Sequence, residues 1–236
     1  RKRLESVVKY IPESSKNRNF KYIRWAKQFL KVASLDQLER AIAIGNTGLT
    51  HRDFNDYFLS DKKFYDSVYY KKANEFFTKD TSQSYLTKLC YLDSKVYLTD
   101  HNLSYSDKSM MAAGVEGRPP LIDHRIVELM FKIPNKHRIT NNVQKYLLKK
   151  VSEKYLPKDI IYRPKAPFSA PMRGWLRNEL KEMVNDVLSY DSIHSRGIYN
   201  PQYVQKLIQN NNKGIEDNSQ LIWRLMVNEI WFRTFF

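Results

Sequence analysis

Apolar residues recur along this chain with the spacing of α-helices rather than the alternation of β-strands. Tyr85, Leu89, Leu92 and Val96 are separated by four, three and four residues, which places them on one helical face. Three further stripes have helical spacing: Ile122, Ile126, Leu129 and Ile133; Val143, Leu147, Val151 and Tyr155; and Met172, Leu176, Leu180 and Met183. The pattern predicts a mainly α fold.

Polar caps and prolines indicate where these helices begin and end. Ser34 and Gln37 have the spacing of a capping box, and Asn200 before Pro201 is typical of a helix start. Between the periodic stretches stand Pro134, Pro157 and Pro171. Because proline cannot continue a helix from the preceding residue, we expect each of them to separate two elements.

The C-terminal stretch from Leu221 to Phe236 is apolar on nearly every side. A helix without a polar face is typical of a protein interior, so this stretch is predicted to be a core helix. It is too short and too often interrupted by charged residues for a membrane span, and we expect no membrane partner.

Composition narrows the class of protein. The chain has 236 residues, of which 42% are hydrophobic, enough to form a core and to exclude intrinsic disorder. Its single cysteine, Cys90, cannot form an internal disulfide, which favours a cytoplasmic protein. Cys90 is interpreted as a small packed side chain rather than a catalytic thiol. Since the first residue is Arg1, we expect the chain to be part of a longer protein.

Positive charge is concentrated at the N-terminus. The formal net charge is +15, and residues 1–32 contain ten basic residues against two acidic ones. The spacing predicts a basic amphipathic helix. Its inward residues would be Phe20, Ile23, Ala26 and Leu30, and its outward ones Lys21, Arg24, Lys27 and Lys31. A solvated helix face is the favoured interpretation, and nucleic acid is not expected because no nucleic-acid-binding motif is present.

The sequence contains no common phosphate-binding or metal-binding motif. It has no glycine-rich phosphate loop, and its five histidines are scattered without the spacing that places two ligands on one helical face. We therefore predict no metal site formed by this chain.

One segment combines ionisable side chains with short apolar residues and prolines. Between residues 97 and 123 it contains Asp107, Glu116, Arg118 and Asp123. Carboxylates in apolar surroundings must be paired or shifted in pKa, which makes them candidates for function. Downstream, Lys165 lies in a proline-rich loop, from which it could present a fixed positive charge to a phosphate or an oxyanion.

This segment resembles the synthetase domain of the glutamine-dependent asparagine synthetase family. From Tyr97 to Asp123 it is similar to the family's Y-L-x-D segment followed by S-M, E-x-R and a final aspartate. Three further similarities keep the family's order: Lys145-Tyr146-Leu147-Leu148 with Leu156-Pro157; Arg163-Pro164-Lys165 with Phe168 and Pro171; and Asp217-Asn218-Ser219 with the helix after it. The similarity covers residues 82–236, whereas residues 1–81 form a basic helical segment without a placed motif.

The resemblance implies a fold and a reaction. The chain would be the helical C-terminal portion of an α/β adenine-nucleotide α-hydrolase-like (PP-loop) synthetase domain. ATP, with magnesium, would adenylate the side-chain carboxylate of aspartate, and ammonia derived from glutamine would displace AMP to give asparagine. ATP and magnesium would be bound mainly by an N-terminal portion of the same protein, in the cytoplasm. We expect the chain alone to be inactive and, through exposed apolar surface, to form homo-oligomers or to be marginally stable.

The resemblance also implies roles for single residues. Glu116 corresponds to the glutamate that acts in the amidation step, and Lys165 to the lysine that neutralises charge between the α-phosphate and pyrophosphate. Asp107 and Lys145 are expected to support the site, and Arg118 and Asp123 to be structural.

Two alternatives remain open. Lys108, Gly117 and Pro119 depart from the family's usual residues, so the substrate could be another carboxylate, such as a sugar acid or a peptide. A different class of function is a non-catalytic helical module that binds a partner through its basic N-terminal face.

Overall fold

The computed structural model describes residues 20–33, 35–45, 51–59, 64–79, 82–140, 143–164 and 170–236. Within these ranges the protein is mainly helical, which confirms the predicted fold class. The only regular strands in the described ranges are β1 (Ile139–Thr140) and β2 (Val143–Gln144), which pair antiparallel. Close contacts divide the chain into two compact units, residues 1–74 with 169–236 (the first unit) and residues 75–168 (the second unit). The boundary at residues 81 and 82 rests on motifs, and it stays a prediction.

The described α-helices are, in chain order, α1 (Phe20–Ala33), α2 (Gln37–Gly45), α3 (His51–Tyr57), α4 (Val68–Thr78), α5 (Tyr85–Lys95), α6 (Ser104–Met111), α7 (His124–Lys132), α8 (Asn135–Arg138), α9 (Tyr146–Ser152), α10 (Lys158–Ile161), α11 (Met172–Arg177), α12 (Lys181–Val187), α13 (Tyr190–Arg196), α14 (Pro201–Asn212) and α15 (Ser219–Phe235). Short 3-10 helices span Phe64–Asp66 and Pro120–Ile122, and a π-helix spans Tyr97–Leu103 between α5 and α6.

Side-chain caps start several of these helices. The Asn200 side chain accepts a hydrogen bond from the Tyr203 backbone N–H at 3.2 Å at the start of α14, which confirms that cap. Helix α2 begins at Gln37, where Asp36 Oδ1 accepts from the Glu39 N–H at 2.8 Å. Ser34, the cap predicted for this helix, lies outside the described residues. The three prolines predicted to separate elements stand at helix starts: Pro134, Pro157 and Pro171 precede α8, α10 and α11.

The core of the first unit is formed by the C-terminal helices. Its largest fully buried apolar side chains include Leu176 of α11, Ile193 of α13, Val204 of α14 and Leu225 of α15. Burying a side chain of this size stabilises a fold by roughly 1.5–3 kcal/mol. These buried residues recur along their helices at the spacing of one helical face, which is the pattern that predicted the helices.

Helix α15 is buried on one face only. Ile222, Leu225 and Met226 pack into the core, whereas Val227 and Trp231 remain about half exposed. The prediction of a core helix is therefore confirmed for the first face and wrong for the face that carries Val227 and Trp231. An apolar stripe in a sequence does not reveal whether another element covers it.

A buried carboxylate of α15 binds two arginines. Glu229 Oε2 accepts from Arg196 Nε at 3.0 Å, and Glu229 Oε1 accepts from Arg233 Nε at 3.2 Å. Burial by itself raises the pKa of Glu229, but the hydrogen bonds and charges of the two arginines outweigh burial, so its pKa is lowered. The paired charge joins the C-terminal end of α15 to α13.

Two of the predicted helical stripes are divided in the structure. Val143 belongs to β2, and Tyr155 follows the end of α9, so that stripe is not one helix. The stripe from Met172 to Met183 is split into α11 and α12, because Asn178 leaves the helical conformation with φ −120° and ψ −85°. Asparagine offers its neighbouring backbone side-chain hydrogen bonds outside a helix, which favours such breaks.

The second unit buries few side chains completely. Leu92 of α5 is buried, and the ring of Tyr91 packs edge-on against Phe76 and Phe131. On α7, by contrast, Ile126 and Leu129 are 40% and 57% exposed. The stripe predicted on this helix is therefore present but uncovered.

Cys90 of α5 is half-buried, and burial is the main cause that raises the pKa of its thiol. A thiol with a raised pKa is a poor nucleophile, which agrees with its interpretation as a packed side chain.

Helix α1 contains all the positions of the predicted amphipathic helix but confirms only part of the predicted faces. Ala26 is exposed, Lys27 is half-buried, and Val32 and Ala33 are buried near the C-terminal end. Lys31 forms an ion pair with Asp53 at 2.8 Å. The inward position predicted for Ala26 is wrong. Other members of the predicted faces have side chains outside the described part: Phe20, Lys21, Ile23 and Arg24.

None of the helices described above has the length and apolar character needed to cross a membrane.

Candidate active site

The candidate site lies on the segment that connects α6 to α7. After Met111 the chain turns at Gly114, whose φ of +68° is in the left-handed region that glycine adopts without strain. The Val115 N–H returns to the Met110 carbonyl at 3.0 Å, which closes the turn. Residues 115–119 have no regular helical structure, so Glu116 and Arg118 lie outside the helices.

Glu116 and Arg118 form a two-point ion pair. Arg118 Nε donates to Glu116 Oε1 and Arg118 Nη2 donates to Glu116 Oε2, both at 2.9 Å. Both side chains are exposed, and the hydrogen bond to Glu116 raises the pKa of Arg118. This geometry fixes the plane of the Glu116 carboxylate as well as its position, and it presents the anion at the surface.

Asp123 has the contacts of a helix cap. Its Oδ1 accepts from the Arg125 backbone N–H at 2.9 Å at the start of α7, and the Arg125 side chain binds both carboxylate oxygens. The hydrogen bond from the Arg125 side chain is the main cause that lowers the pKa of Asp123. Its structural role in the synthetase site stays a prediction.

Two hollows flank the segment from Pro119 to Ile122. A recess of about 440 Å³ contains Asp107 of α6 together with Met110 and Gly117. An open groove of about 810 Å³ contains Arg118, Asp123 and the exposed face of α7. The structure thus brings Asp107, Arg118 and Asp123 around one short segment, with Glu116 beside them through its bond to Arg118.

Lys145 differs from these residues because its backbone is in the left-handed helical conformation. At φ 56° and ψ 36° it is the one non-glycine residue with positive φ in the described ranges, and it immediately precedes α9. It lines neither hollow. Backbone strain that persists in a fold is found most often at functional positions, which is consistent with the supporting role predicted for Lys145.

Replacing Lys145 with glycine tests whether the left-handed backbone at this position lowers the stability of the fold. Relief of the left-handed backbone, offset by the greater freedom of glycine in the unfolded chain, predicts a gain of about 0.5–1 kcal/mol in the free energy of unfolding. Urea denaturation followed by tryptophan fluorescence measures it. A loss of stability would show that contacts of the Lys145 side chain outweigh the backbone strain.

Lys165 lies outside the described residues, but the chain just before it is anchored. The Tyr162 hydroxyl donates to Glu153 Oε1 at 2.6 Å, and Lys150 Nζ is 2.9 Å from the same oxygen. The Lys149 ammonium lies 5.4 Å from the centre of the Tyr162 ring. Sequence reasoning missed these contacts. Only the three-residue spacing of Lys150 and Glu153 could have indicated one of them.

The described residues do not form a metal site. No group of three histidine, cysteine, aspartate or glutamate side chains there is placed to hold a metal ion, and the carboxylates of Glu116 and Asp123 are each bound by an arginine. The described carboxylates therefore do not fit a magnesium ion.

Comparison with known proteins identifies the family. The sequence model of the family "Asparagine synthase" matches residues 4–233. Asparagine synthetase [glutamine-hydrolyzing] 1 of Bacillus subtilis (strain 168) is 31% identical over 156 residues, which are 66% of this chain and 24% of the relative. Asparagine synthetase [glutamine-hydrolyzing] 3 of the same organism is 38% identical over 81 residues, 34% of this chain and 13% of the relative.

A vertebrate relative extends the comparison. Asparagine synthetase [glutamine-hydrolyzing] of Gallus gallus is 34% identical over 104 residues, 40% of this chain and 18% of the relative. The chain thus spans a quarter or less of the length of these relatives. No solved structure matches it. Since the family model covers nearly the whole sequence, the chain belongs to the asparagine synthase family.

Proposed function

We propose that this chain is part of an ATP-dependent synthetase that makes asparagine from aspartate and glutamine-derived ammonia. The acyl group would be activated as an adenylate before ammonia attacks it. The observation that carries the proposal is the Glu116–Arg118 pair, presented at the surface between two helices in a chain of the asparagine synthase family.

Glu116 would act on the attacking ammonia. In the amidation step the ammonia nitrogen forms a bond to the acyl carbon, the bond from that carbon to the AMP phosphate oxygen breaks, and the nitrogen loses a proton. A carboxylate within hydrogen-bond distance can hold the ammonia and accept this proton. Arg118 would be a positioning residue, because it binds both oxygens of Glu116 and fixes their orientation.

Lys165 would act earlier, during adenylation. Its ammonium would neutralise negative charge that develops between the α-phosphate and the departing pyrophosphate. The contacts of Tyr162 with Glu153 support this role, because they anchor the chain three residues before Lys165.

ATP and magnesium would be held mainly by polypeptide outside this chain. The chain's own contribution would therefore be Glu116 and Lys165, supported by Asp107 and Lys145.

The alternative of a binding module that uses the basic N-terminal face is not favoured. In the described part of α1, Lys31 is paired with Asp53 and Lys27 is half-buried, so these two charges are less available to a partner than the sequence suggests.

The isolated chain is expected to form no asparagine. The assay supplies L-aspartate, ATP, magnesium chloride and ammonium chloride, and measures asparagine and AMP by mass spectrometry. The physical reason is that the chain has no phosphate-binding loop of its own. Asparagine produced by the purified chain at a rate proportional to its concentration would contradict this expectation.

A longer polypeptide that adds the preceding portion, with the length of the Bacillus subtilis relative, is expected to be active in the same assay. Sugar acids and peptides in place of aspartate test the alternative substrates. If the longer polypeptide binds ATP but amidates none of these carboxylates, the proposed function is wrong.

A further inference from the structure

The chain turns back at the end of α6, so that the residues around Glu116 lie against the last turn of this helix. The Val115 N–H donates to the Met110 carbonyl at 3.0 Å, a bond that closes the turn at Gly114. Bonds of this kind satisfy carbonyls that the end of a helix leaves without helical partners. Met110 therefore fixes the backbone immediately before Glu116 to α6.

The Met110 side chain packs against the residue that follows Glu116. A Cβ atom built on Gly117 would lie 2.0 Å from Met110 Cε and 2.4 Å from Met110 Sδ. Atoms of a packed protein do not approach so closely, so the end of the methionine fills the space in which a Gly117 side chain would lie. Met110 thus contacts the backbone on both sides of Glu116, with its carbonyl before it and its thioether after it.

The carboxylate of Glu116 is held at its far end as well. Arg118 binds both of its oxygens, each at 2.9 Å. Pro119 follows with a φ of −78°, and the ring of a proline also restricts the backbone of the residue before it. Because this segment has no regular helical structure, these local contacts determine where the carboxylate points.

We propose that Met110 is a positioning residue for Glu116 and that Gly117 is required for this role. A general base acts only within hydrogen-bond distance of the proton it accepts, and a misplacement of about 1 Å can cost roughly 10²-fold in rate. The contribution of Met110 to amidation rests on the proposed function, whereas its effect on the Glu116–Arg118 geometry does not. Gly117 departs from the family's usual residue, and the contact with Met110 gives this departure a physical consequence.

Gly117→Ala is expected to displace the Met110 side chain without unfolding the chain. The atoms that the new methyl group meets are the end of a flexible side chain, and the recess of about 440 Å³ beside them gives the thioether room to move. The urea midpoint of unfolding is therefore expected to remain close to that of the unmodified chain. The apolar contact on the backbone after Glu116 is lost, so the Glu116–Arg118 pair becomes looser.

Hydrogen exchange at arginine side chains measures this loosening by NMR in the isolated chain. The Arg118 Nε–H signal, assigned with Arg118→Lys, reports the pair because Nε donates to Glu116 Oε1. Its exchange rate with water is expected to rise about threefold in Gly117→Ala, a change on the scale of an exposed ion pair. The internal control is Arg125 Nε–H, which donates to Asp123 Oδ1 at 3.0 Å and is expected to exchange at an unchanged rate.

The ratio of asparagine to AMP measures the consequence in the longer polypeptide. Adenylate that ammonia does not attack is hydrolysed by water to aspartate and AMP, so a misplaced Glu116 lowers this ratio. We expect a fall of about tenfold in Gly117→Ala and in Met110→Ala, with KM for ATP within about twofold. Met110→Leu keeps the apolar volume and is expected to retain most of the ratio. Loss of folded protein would lower both products equally and leave the ratio unchanged.

Two further variants separate this contact from a general effect of the substitutions. When Met110→Ala is combined with Gly117→Ala, the new methyl group enters the space that the methionine has left. The ratio is then expected to return to within about threefold of the unmodified protein. Gly174→Ala adds the same methyl group on α11, where no described atom beyond its own helix and chain neighbours would lie within 4 Å of it. This control is expected to change neither the ratio nor the exchange rate.

Three results would overturn the proposal: an Arg118 exchange rate that Gly117→Ala leaves unchanged, a product ratio that it leaves unchanged in an active polypeptide, or a double variant no better than the single ones. If the unmodified longer polypeptide makes no asparagine, the proposed function is wrong. The exchange rates of the isolated chain then still decide whether Met110 fixes the position of Glu116.

Discussion

Replacing Glu116 with glutamine is expected to lower kcat for ammonia-dependent asparagine formation by about 10²–10⁴-fold, the range for loss of a positioned acid-base group. Glutamine keeps the size of the side chain but cannot accept the proton that the attacking nitrogen loses. It also provides only one oxygen for Arg118, which now binds two. The measurement is steady-state asparagine formation by the longer active polypeptide, with KM for aspartate and ATP determined in parallel.

The matched control is Glu128→Gln, an exposed glutamate of α7 that lines neither hollow. It is expected to leave kcat within twofold. Formation of AMP without asparagine in Glu116→Gln would place the defect in amidation rather than in adenylation. A kcat equal to that of the unmodified protein would show that Glu116 is only the partner of Arg118.

Replacing Glu229 with glutamine is expected to lower the free energy of unfolding of the chain by about 3 kcal/mol. Loss of one charge from a buried pair leaves the opposite charge without compensation, here that of Arg196, whereas Arg233 keeps its second ion pair with Asp186 at 3.3 Å. We place the effect at the lower end of the range because Arg196 and Arg233 are partly exposed and therefore screened. Urea denaturation at pH 7 measures the change.

The pH dependence of this effect follows from the lowered pKa of Glu229. The stabilisation is present at pH values above the pKa of an unfolded glutamate, about 4.3, and is lost as the pH falls through the lower folded-state pKa. The difference in stability between the unmodified chain and Glu229→Gln should therefore shrink in acid.

The control for Glu229 is Glu179→Gln, an exposed carboxylate between α11 and α12. It is expected to change the free energy of unfolding by less than about 0.5 kcal/mol, as surface substitutions usually do. A Glu229→Gln variant as stable as this control would mean that the two arginines find solvent or other acceptors at no cost.

Local signals predicted most of the fold. The period of the apolar residues identified α5 and α7, and the apolar character of the last stretch identified α15. The Asn200 cap and the prolines marked starts of helices, because these signals depend on neighbouring residues alone. Which apolar faces are covered could not be predicted. Trp231 and Leu129 have the same spacing signal as buried residues, but nothing in the described parts of their own units covers them.

The candidate site was predicted as a set of residues but not as an arrangement. The resemblance placed Glu116, Arg118 and Asp123 in one segment. The arginine that binds each carboxylate, Arg118 for Glu116 and Arg125 for Asp123, stands two residues after it in the sequence. The left-handed conformation of Lys145 could not be predicted, because lysine has no preference for it and only the surrounding fold imposes it. The Tyr162–Glu153 contact joins residues nine apart, beyond the reach of helical spacing rules.

The π-helix at Tyr97–Leu103 has a consequence for insertions and deletions. A π-helical turn accommodates one residue more than an α-helical turn, and each residue of an α-helix advances the side chain by about 100° around the axis. Deleting one residue there would convert the π-helical turn into an α-helical one and keep α6 near its present rotation, because the wider turn already absorbs that residue. Inserting a residue that no further π-helical turn accommodates would instead rotate α6 by about that angle, and Asp107 and Met110 would leave the recess together.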